Sequence, residues 1–431
     1  MTTPTTGARV SEVRVTPILI TDPPLLNLQG VHQPLTPRTI IEVHTASGHV
    51  GLGETYGDTE YLDAIRKVAP HLDGVEVARP TALKALIDQI LGEETREAAT
   101  ADVPASGLRG KRDLAKLKAS VFAAFEVAFL DAWGKVLGVP VHALLGGKVR
   151  DRVDYSAYLF YKWAAHPGQD PDAWGAALDP AGVVEQARIF VERYGFTSIK
   201  LKGGVFEPDA EIAAVRALRE AFPDMPLRLD PNSAWSVETS LYVARELTGV
   251  LEYLEDPTAG VEGMARVHAE TGMPLATNMC VTGFDEVPEA FARRAVQVVL
   301  SDHHYWGGLR ATLDLAAMCR CYGVGVSMHS NTHLGISLAA MTQVAAAVPN
   351  LHHACDTHRP WQEEDVITRP HTFTGGAVEV GDEPGLGVEL DREALADLHR
   401  RWADSEVRDR DDVAAMRVVE PEWNAPRLPR W

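Results

Sequence analysis

Cysteine is scarce, with only Cys280, Cys319, Cys321 and Cys355 in 431 residues. Four scattered cysteines exclude a disulfide framework, and Cys319-Arg-Cys321 is not the spacing of a structural zinc site. No run approaches the roughly 18 apolar residues that a membrane span requires. The polar, threonine-rich stretch from Met1 to Arg9 lacks the apolar segment of a secretory signal, so a cytoplasmic protein is expected. Cations are in the minority, 41 against 60 acidic residues for a formal charge of −19. That balance argues against nucleic acid or an anionic membrane as partner, since both are bound through clustered Lys and Arg. It leaves room for a small anion held by a few local cations or a metal ion. A dinucleotide fingerprint is missing too: Lys202-Gly203-Gly204 lacks the third glycine and the following helix start, and there is no P-loop.

What remains is an ordinary globular composition, 45% hydrophobic and 23% charged, long enough for two or three domains. Val13 to Ile20 and Thr39 to Thr45 are β-branched runs, punctuated by Gly48, Gly51 and Gly53. A helix-rich stretch follows from about Tyr61 to Leu145. Phe122, Phe125, Phe129 and Trp133 recur there at helical steps and form one packing stripe. Glu93 to Lys118 is charged, without apolar period, and reads as a loop. From about residue 153, short apolar strands end in polar residues at Tyr158, Lys202, Asp230, Glu255, Asn278, Asp302, His329 and Asp356. After the first interval these ends recur about every 25 residues, the length of one βα unit, which predicts a closed parallel barrel. A helical run near Arg392 to Trp402 reads as a return to the N-terminal region. The expected division is 1–150, 151–380 and 381–431.

The C-terminal ends of barrel strands share one mouth, where active sites are built. Asp230, Glu255 and Asn278 fall on three successive strands. Two carboxylates and an amide oxygen form an all-oxygen set suited to a hard ion such as Mg²⁺; Glu262, in the next loop, is the competitor for Glu255. Lys200 and Lys202 alternate around Leu201, so both side chains point to one face. Burial and mutual repulsion are expected to lower their pKa towards that of a working base. His329 lies one strand beyond Asp302, whose carboxylate could fix its tautomer and raise its basicity. No role follows from the sequence for His303, His304, His352 or His353.

The order Lys-x-Lys, Asp-Pro-Asn, Glu-Asp-Pro, Asn, Asp, His-Ser-Asn resembles the enolase superfamily, and within it the glucarate dehydratase subgroup. Gly51-Leu-Gly-Glu54, Glu126 with Asp131, Gly134-Lys135, Leu144-Leu-Gly-Gly147 and Pro384-Gly-Leu-Gly387 extend the likeness over nearly the whole chain. The resemblance implies a (β/α)7β modified TIM barrel under an α+β capping domain contributed by both ends of the chain. It implies Mg²⁺ on Asp230, Glu255 and Asn278. Lys202 would be the base on one substrate face with Lys200 beside it; His329, paired with Asp302, would be the base on the other and the acid for the leaving hydroxyl. Substrate contacts carry over to His32, Tyr158, Lys200, Asn232, Ser330, Asn331, His358 and Arg410, for a small acid sugar such as glucarate. A different acid sugar, epimerisation, or a catalytically weak relative are the alternatives. A homo-oligomer is expected as well. One departure is Lys116-Leu-Lys118, where the family carries a threonine pair.

Overall fold

Three β-branched stretches, β1 (Val10–Thr21), β2 (Leu35–Thr45) and β3 (Val50–Tyr56), pair antiparallel in the order β1–β2–β3. The computed structural model describes residues 7–92 and 114–431. Behind the sheet lie α1 (Thr59–Val68), α2 (Pro80–Leu91) and the long α3 (Leu114–Leu137). Gly51 and Gly53 point at α3, and a methyl group on either would run into the carbonyls of Ala128 and Ala124. The close approach buries Phe125 and Phe129 completely and makes one continuous apolar cluster of sheet and helix. Phe122 and Trp133, from the same expected stripe, are half-buried at its margin. The loop expected over Glu93–Lys118 needs correction at its end. Residues 93–113 lie outside the described residues, and Leu114 to Lys118 form the first turns of α3.

Seven parallel strands follow, each hydrogen-bonded to its sequence neighbour: β4 (Ala157–Phe160), β5 (Ile199–Lys202), β6 (Leu227–Asp230), β7 (Tyr253–Glu255), β8 (Leu275–Thr277), β9 (Val298–Ser301) and β10 (Gly325–Met328). Helices connect them, among them Pro180–Tyr194, Pro208–Ala221, Val237–Glu246, Val261–Thr271 and Gly308–Tyr322. These carry apolar residues on the face that packs on the strands. Asp179 and Ser236 accept from the backbone N–H groups of Gly182 and Thr239 and start two of the helices. The eighth position is a stitch. Leu351 bridges Val326, Cys355 bridges Tyr155, and the Asp356 amide donates to the Met328 carbonyl at 2.8 Å. The fold is thus the (β/α)7β barrel under an α+β cap.

Buried carboxylates fasten the cap, Glu126 and Glu54 to the barrel and Asp131 to the C-terminal segment. Glu126 of α3 accepts the Leu309 amide at 2.6 Å at the start of Gly308–Tyr322, and burial pushes its carboxyl up to about 7. Asp131 takes the amides of Leu52 at 2.8 Å and Leu386 at 2.7 Å. Glu54, paired with Arg38, takes those of Leu334 at 2.9 Å and Ser337 at 2.8 Å, fixing the start of the helix Gly335–Ala347. From the C-terminal side, the helix Arg392–Asp404 returns to β1, with His399 Nδ1 donating to the Pro17 carbonyl at 2.7 Å. No helix among the described residues is long and apolar enough to cross a membrane.

Candidate active site

Register places the polar strand ends side by side. Lys202 is opposite Asp230 on the neighbouring strand, Lys200 is opposite Arg228, and Tyr158 is opposite Lys200. Strand alternation sends Lys200 and Lys202 to one face, together with Arg228 and Asp230, and all four are buried. The expectation for Lys200 is corrected here. Lys200 faces carboxylates rather than its fellow cation: Glu255 Oε2 and Asp356 Oδ2 each lie 2.7 Å from its Nζ, and Asp230 Oδ2 lies 3.3 Å away. Burial disfavours its charge, but Asp356 and Glu255 overrule it, and the ammonium is held well above its ordinary pKa. The face of Tyr158 lies 4.6 Å from the same ammonium. Lys202 donates to Asp230 at 2.7 Å and to Asn232 Oδ1 at 2.9 Å. Asn232 holds that position from a left-handed backbone, φ 58°, a conformation in which asparagine is enriched.

Glu255 is the least satisfied member of the cluster. It is fully buried, yet among the described residues neither carboxylate oxygen accepts a hydrogen bond. Lys200 is close enough to pair with it but not aligned to donate. Burial, with Asp230, Asp356 and Asp256 as neighbours, pushes the Glu255 carboxyl well above its usual range despite Lys200. Asp230 moves the other way: burial opposes its ionisation, and Lys202 and Lys200 prevail. Asn278 stands just past β8 on a turn built by Asp256, which accepts from Thr277 Oγ1 at 2.5 Å and from the Asn278 and Met279 amides at 2.8 and 3.1 Å. Glu262, the sequence competitor, is exposed on the helix Val261–Thr271. Two carboxylates and an amide oxygen, one carboxylate lacking donors, are the donor set of a hard divalent cation, and the residues present fit one.

The opposite wall is built of imidazoles. His329, just past β10, places Nδ1 3.0 Å from Asp302 Oδ2, just past β9. Burial lowers the His329 pKa below 6.5, partly offset by Asp302, while Lys200 adds to the lowering. Asp302, His304 and His333 could each present a ligand atom within 4.8 Å of the others. Both nitrogens of His304 are already engaged, by Asp302 Oδ1 at 2.8 Å and Ser337 Oγ at 3.0 Å, so the group is a hydrogen-bonded chain, not an open ligand set.

Towards the cap, an aromatic row runs from Tyr158 through Phe160 to His32, with His358 4.8 Å from Tyr158 and His32 5.7 Å from Phe160, ring centre to ring centre. His32 Nδ1 lies 3.2 Å from Asp22 Oδ2, and Arg410 Nη1 lies 3.9 Å from the same oxygen while its guanidinium grips Asp412 at 2.8 Å. Ser330 Oγ accepts the His358 amide at 3.3 Å. Asn331 stands apart, its Oδ1 bonded only to neighbouring Thr332 among the described contacts. Lys116 and Lys118 differ in direction: Lys118 pairs with the Gly92 carbonyl, whereas Lys116 reaches the Thr282 carbonyl and lies 5.9 Å from the rings of Tyr305 and Trp306. Sequence reasoning missed Asp256, His304 and the pairing role of Asp356. The hints were that Asp356 closes the series of strand ends, that Asp256 lies in the Glu-Asp-Pro motif, and that His304 lies two residues past Asp302.

The family description Enolase C-terminal domain-like matches residues 182–394. A protein of Streptomyces coelicolor named "Probable glucarate dehydratase" is 66% identical over 98% of this chain and 99% of its own length. This chain belongs to the enolase superfamily. Within it, the chain falls in the glucarate dehydratase subgroup, among acid-sugar dehydratases of the hydro-lyase class. Solved relatives agree over full length. An enolase of Thermobispora bispora, complexed with magnesium and formate, is 54% identical with TM-score 0.94, covering 98% of this chain and 100% of that one. One from Pseudomonas fluorescens with bound magnesium, potassium and tartrate is 48% identical with TM-score 0.92, covering 98% and 99%.

Proposed function

We propose that this enzyme dehydrates D-glucarate to a keto-deoxyglucarate and water, with Mg²⁺ on Asp230, Glu255 and Asn278. The observation that carries the reading is Glu255, a buried carboxylate without hydrogen-bond donors among the described residues, next to Asp230 and with Asn278 just past the following strand. The magnesium-bound relatives support the choice of ion. Bound there, Mg²⁺ would supply electrostatic stabilisation of negative charge on the substrate carboxylate.

The proton chemistry belongs to the side chains. The C–H bond beside a carboxylate is a very weak acid, so the base must be held close and dry. His329, with Nδ1 engaged by Asp302, has Nε2 to take that proton. The same nitrogen, now protonated, returns a proton to the hydroxyl on the next carbon. The C–O bond breaks, water leaves, and the resulting enol tautomerises to the keto acid. Lys202 works from the opposite wall, exchanging the proton of the epimeric substrate, and Lys200 anchors the carboxylates beneath. Arg410, His32 and His358 form a cationic and polar pole for the distal carboxylate.

A panel of mono- and diacid sugars, read by keto-acid formation and by solvent-deuterium incorporation, tests substrate and reaction together. Glucarate should give the highest kcat/KM with loss of water. Exchange without keto acid on every sugar would make the enzyme an epimerase instead. Full chelation with EDTA should eliminate turnover and Mg²⁺ should restore it; turnover surviving chelation would remove the metal from the reading.

A further inference from the structure

Asp302 serves two imidazoles. Its Oδ2 accepts from His329 Nδ1 at 3.0 Å, while its Oδ1 accepts from His304 Nδ1 at 2.8 Å and from the His304 amide at 3.0 Å. Beyond, His304 Nε2 lies 3.0 Å from Ser337 Oγ. Asp302 and His304 are 0% exposed, Ser337 1% and His329 5%. The direction of each bond follows from chemistry. A carboxylate only accepts, so both Nδ1 atoms carry protons; a neutral His304 then accepts at Nε2, and the Ser337 hydroxyl donates. Ser337 is itself fixed, its amide bonded to Glu54 at 2.8 Å.

We propose that His304 is a positioning residue for proton transfer at His329, holding the Asp302 carboxylate in one orientation and sharing its negative charge, with Ser337 fixing the His304 tautomer. The inference rests on the reading of His329 as the proton-transfer group.

Three features point this way. Asp302 cannot rotate about its terminal bond without breaking the His304 contact, so the oxygen offered to His329 is always the same one. The charge is divided: a carboxylate that accepts from two imidazoles pulls less on each, which keeps His329 a weaker, more readily deprotonated base. His304 also stays neutral. Burial, with His333 and the Arg38 cation nearby, lowers it to about 4 in spite of Asp302. A charged His304 would instead bind Asp302 as a fixed ion pair. Its surroundings are completed by Tyr56 at 5.3 Å, His303 at 4.1 Å and His333 at 4.6 Å between ring centres. His329 faces Asp302 on its own wall, and it feels or influences Asp356 and His358 of the neighbouring eighth position and Lys200 and Asp230 further round the mouth.

The test is the pH profile of kcat and KM for full-length, Mg²⁺-loaded enzyme on the best acid sugar of the panel. His304→Phe keeps the ring volume and loses both nitrogens. It should lower kcat about 10–100-fold, as for other groups that orient a reacting residue, with KM little changed. Its acidic limb should move to higher pH, because the whole Asp302 charge then falls on His329. His304→Asn, with an amide N–H where Nδ1 stood, should recover most of that loss. Should the Phe variant lack a cooperative melt, His304→Gln, which keeps a polar tip near Ser337 but no donor at the Nδ1 position, is judged by the same criteria. Parental kcat and an unmoved acidic limb in the Phe or Gln variant, whatever its Tm, would overturn the positioning role. His329→Asn run in parallel separates the two levels. If it dehydrates at the parental rate, the reading of His329 fails; if it is inactive while the His304 variants match the parent, only the positioning role fails.

Discussion

On the wall formed by β5, β6 and β7, Lys200 and Lys202 are interleaved with Asp230 and Glu255, and Asp356 of the eighth position reaches Lys200, all at ion-pair distances. On the wall formed by β9 and β10, one ionised carboxylate, Asp302, is shared among imidazoles that burial keeps neutral. Both walls are equally buried, so desolvation alone does not distinguish them. What differs is whether partners carry full charge. On the first wall Lys200 and Asp230 keep their charges because each faces counter-charges, while Glu255 is pushed towards its neutral form; the second wall holds one ionised carboxylate and relies on hydrogen-bond direction. A substrate dianion with a divalent cation suits the first wall, and a proton that must come and go near neutral pH suits the second.

The contrast is most directly broken by removing one base from each wall. His329→Asn should lower dehydration of glucarate by about 10²–10⁴-fold, the range for a lost general base, while deuterium exchange of the C5 epimer at Lys202 continues. Lys202→Met should do the reverse for exchange. Equal loss of both reactions in both variants, with substrate binding intact, would mean that the walls do not act on separate faces.

Next in size is Lys200→Met. It leaves Asp230, Glu255 and Asp356 without their shared cation, and unpaired buried charge of this kind costs about 3–5 kcal/mol. Urea denaturation should show the loss, and millimolar Mg²⁺ should recover part of it. A variant as stable as the parent without metal would contradict the counter-charge account.

The imidazole wall should show itself in stability against pH. His303, His304, His329 and His358 all have folded pKa values below 6.5, with burial the first cause. Below pH 6.5 the unfolded chain therefore binds more protons than the folded one, so stability is full above that pH and falls as pH drops through it. Each such group contributes at most about 1.4 kcal/mol per pH unit between its two pKa values. Tm at pH 5 should lie below Tm at pH 7.5, and a flat profile would show these rings protonate freely in the fold. The smallest effect is expected at the start of β7. Glu252 accepts from Arg228 at 2.6 Å and pairs with His353 at 2.8 Å, so Glu252→Gln should cost about 1 kcal/mol of stability and leave kcat alone.

Much of the charged wall was legible in the chain, because a lysine or aspartate in a four-residue apolar strand has few places to go but inward at the strand's end. Spacing then set Lys200, Lys202, Asp230 and Glu255 at one mouth. Their electrostatics were not legible. The partner that decides Lys200, Asp356, lies 156 positions away, and repulsion between two neighbouring lysines was the only interaction that sequence displayed. The imidazole wall was half visible. Asp302 and His329 follow successive strands, but His304 reads as one of sixteen histidines until folding turns its ring back onto Asp302. Asp256 was hidden for a similar reason, since it stabilises Asn278 through backbone amides, which leave no trace in composition.

The stitched eighth position gives the barrel a seam. The carbonyl of Ala354 is gripped by Arg228 at 2.7 Å and Ser327 at 2.8 Å, and Asp356 by Lys200 at 2.7 Å. Side chains from β5, β6 and β10 thus fasten a segment that the backbone ladder holds only by isolated bridges. Amides from 351 to 356 are where the cylinder would open first and exchange hydrogen fastest. A lysine placed for chemistry is also a clasp on the circumference, so replacing it loosens the vessel as well as altering what happens inside.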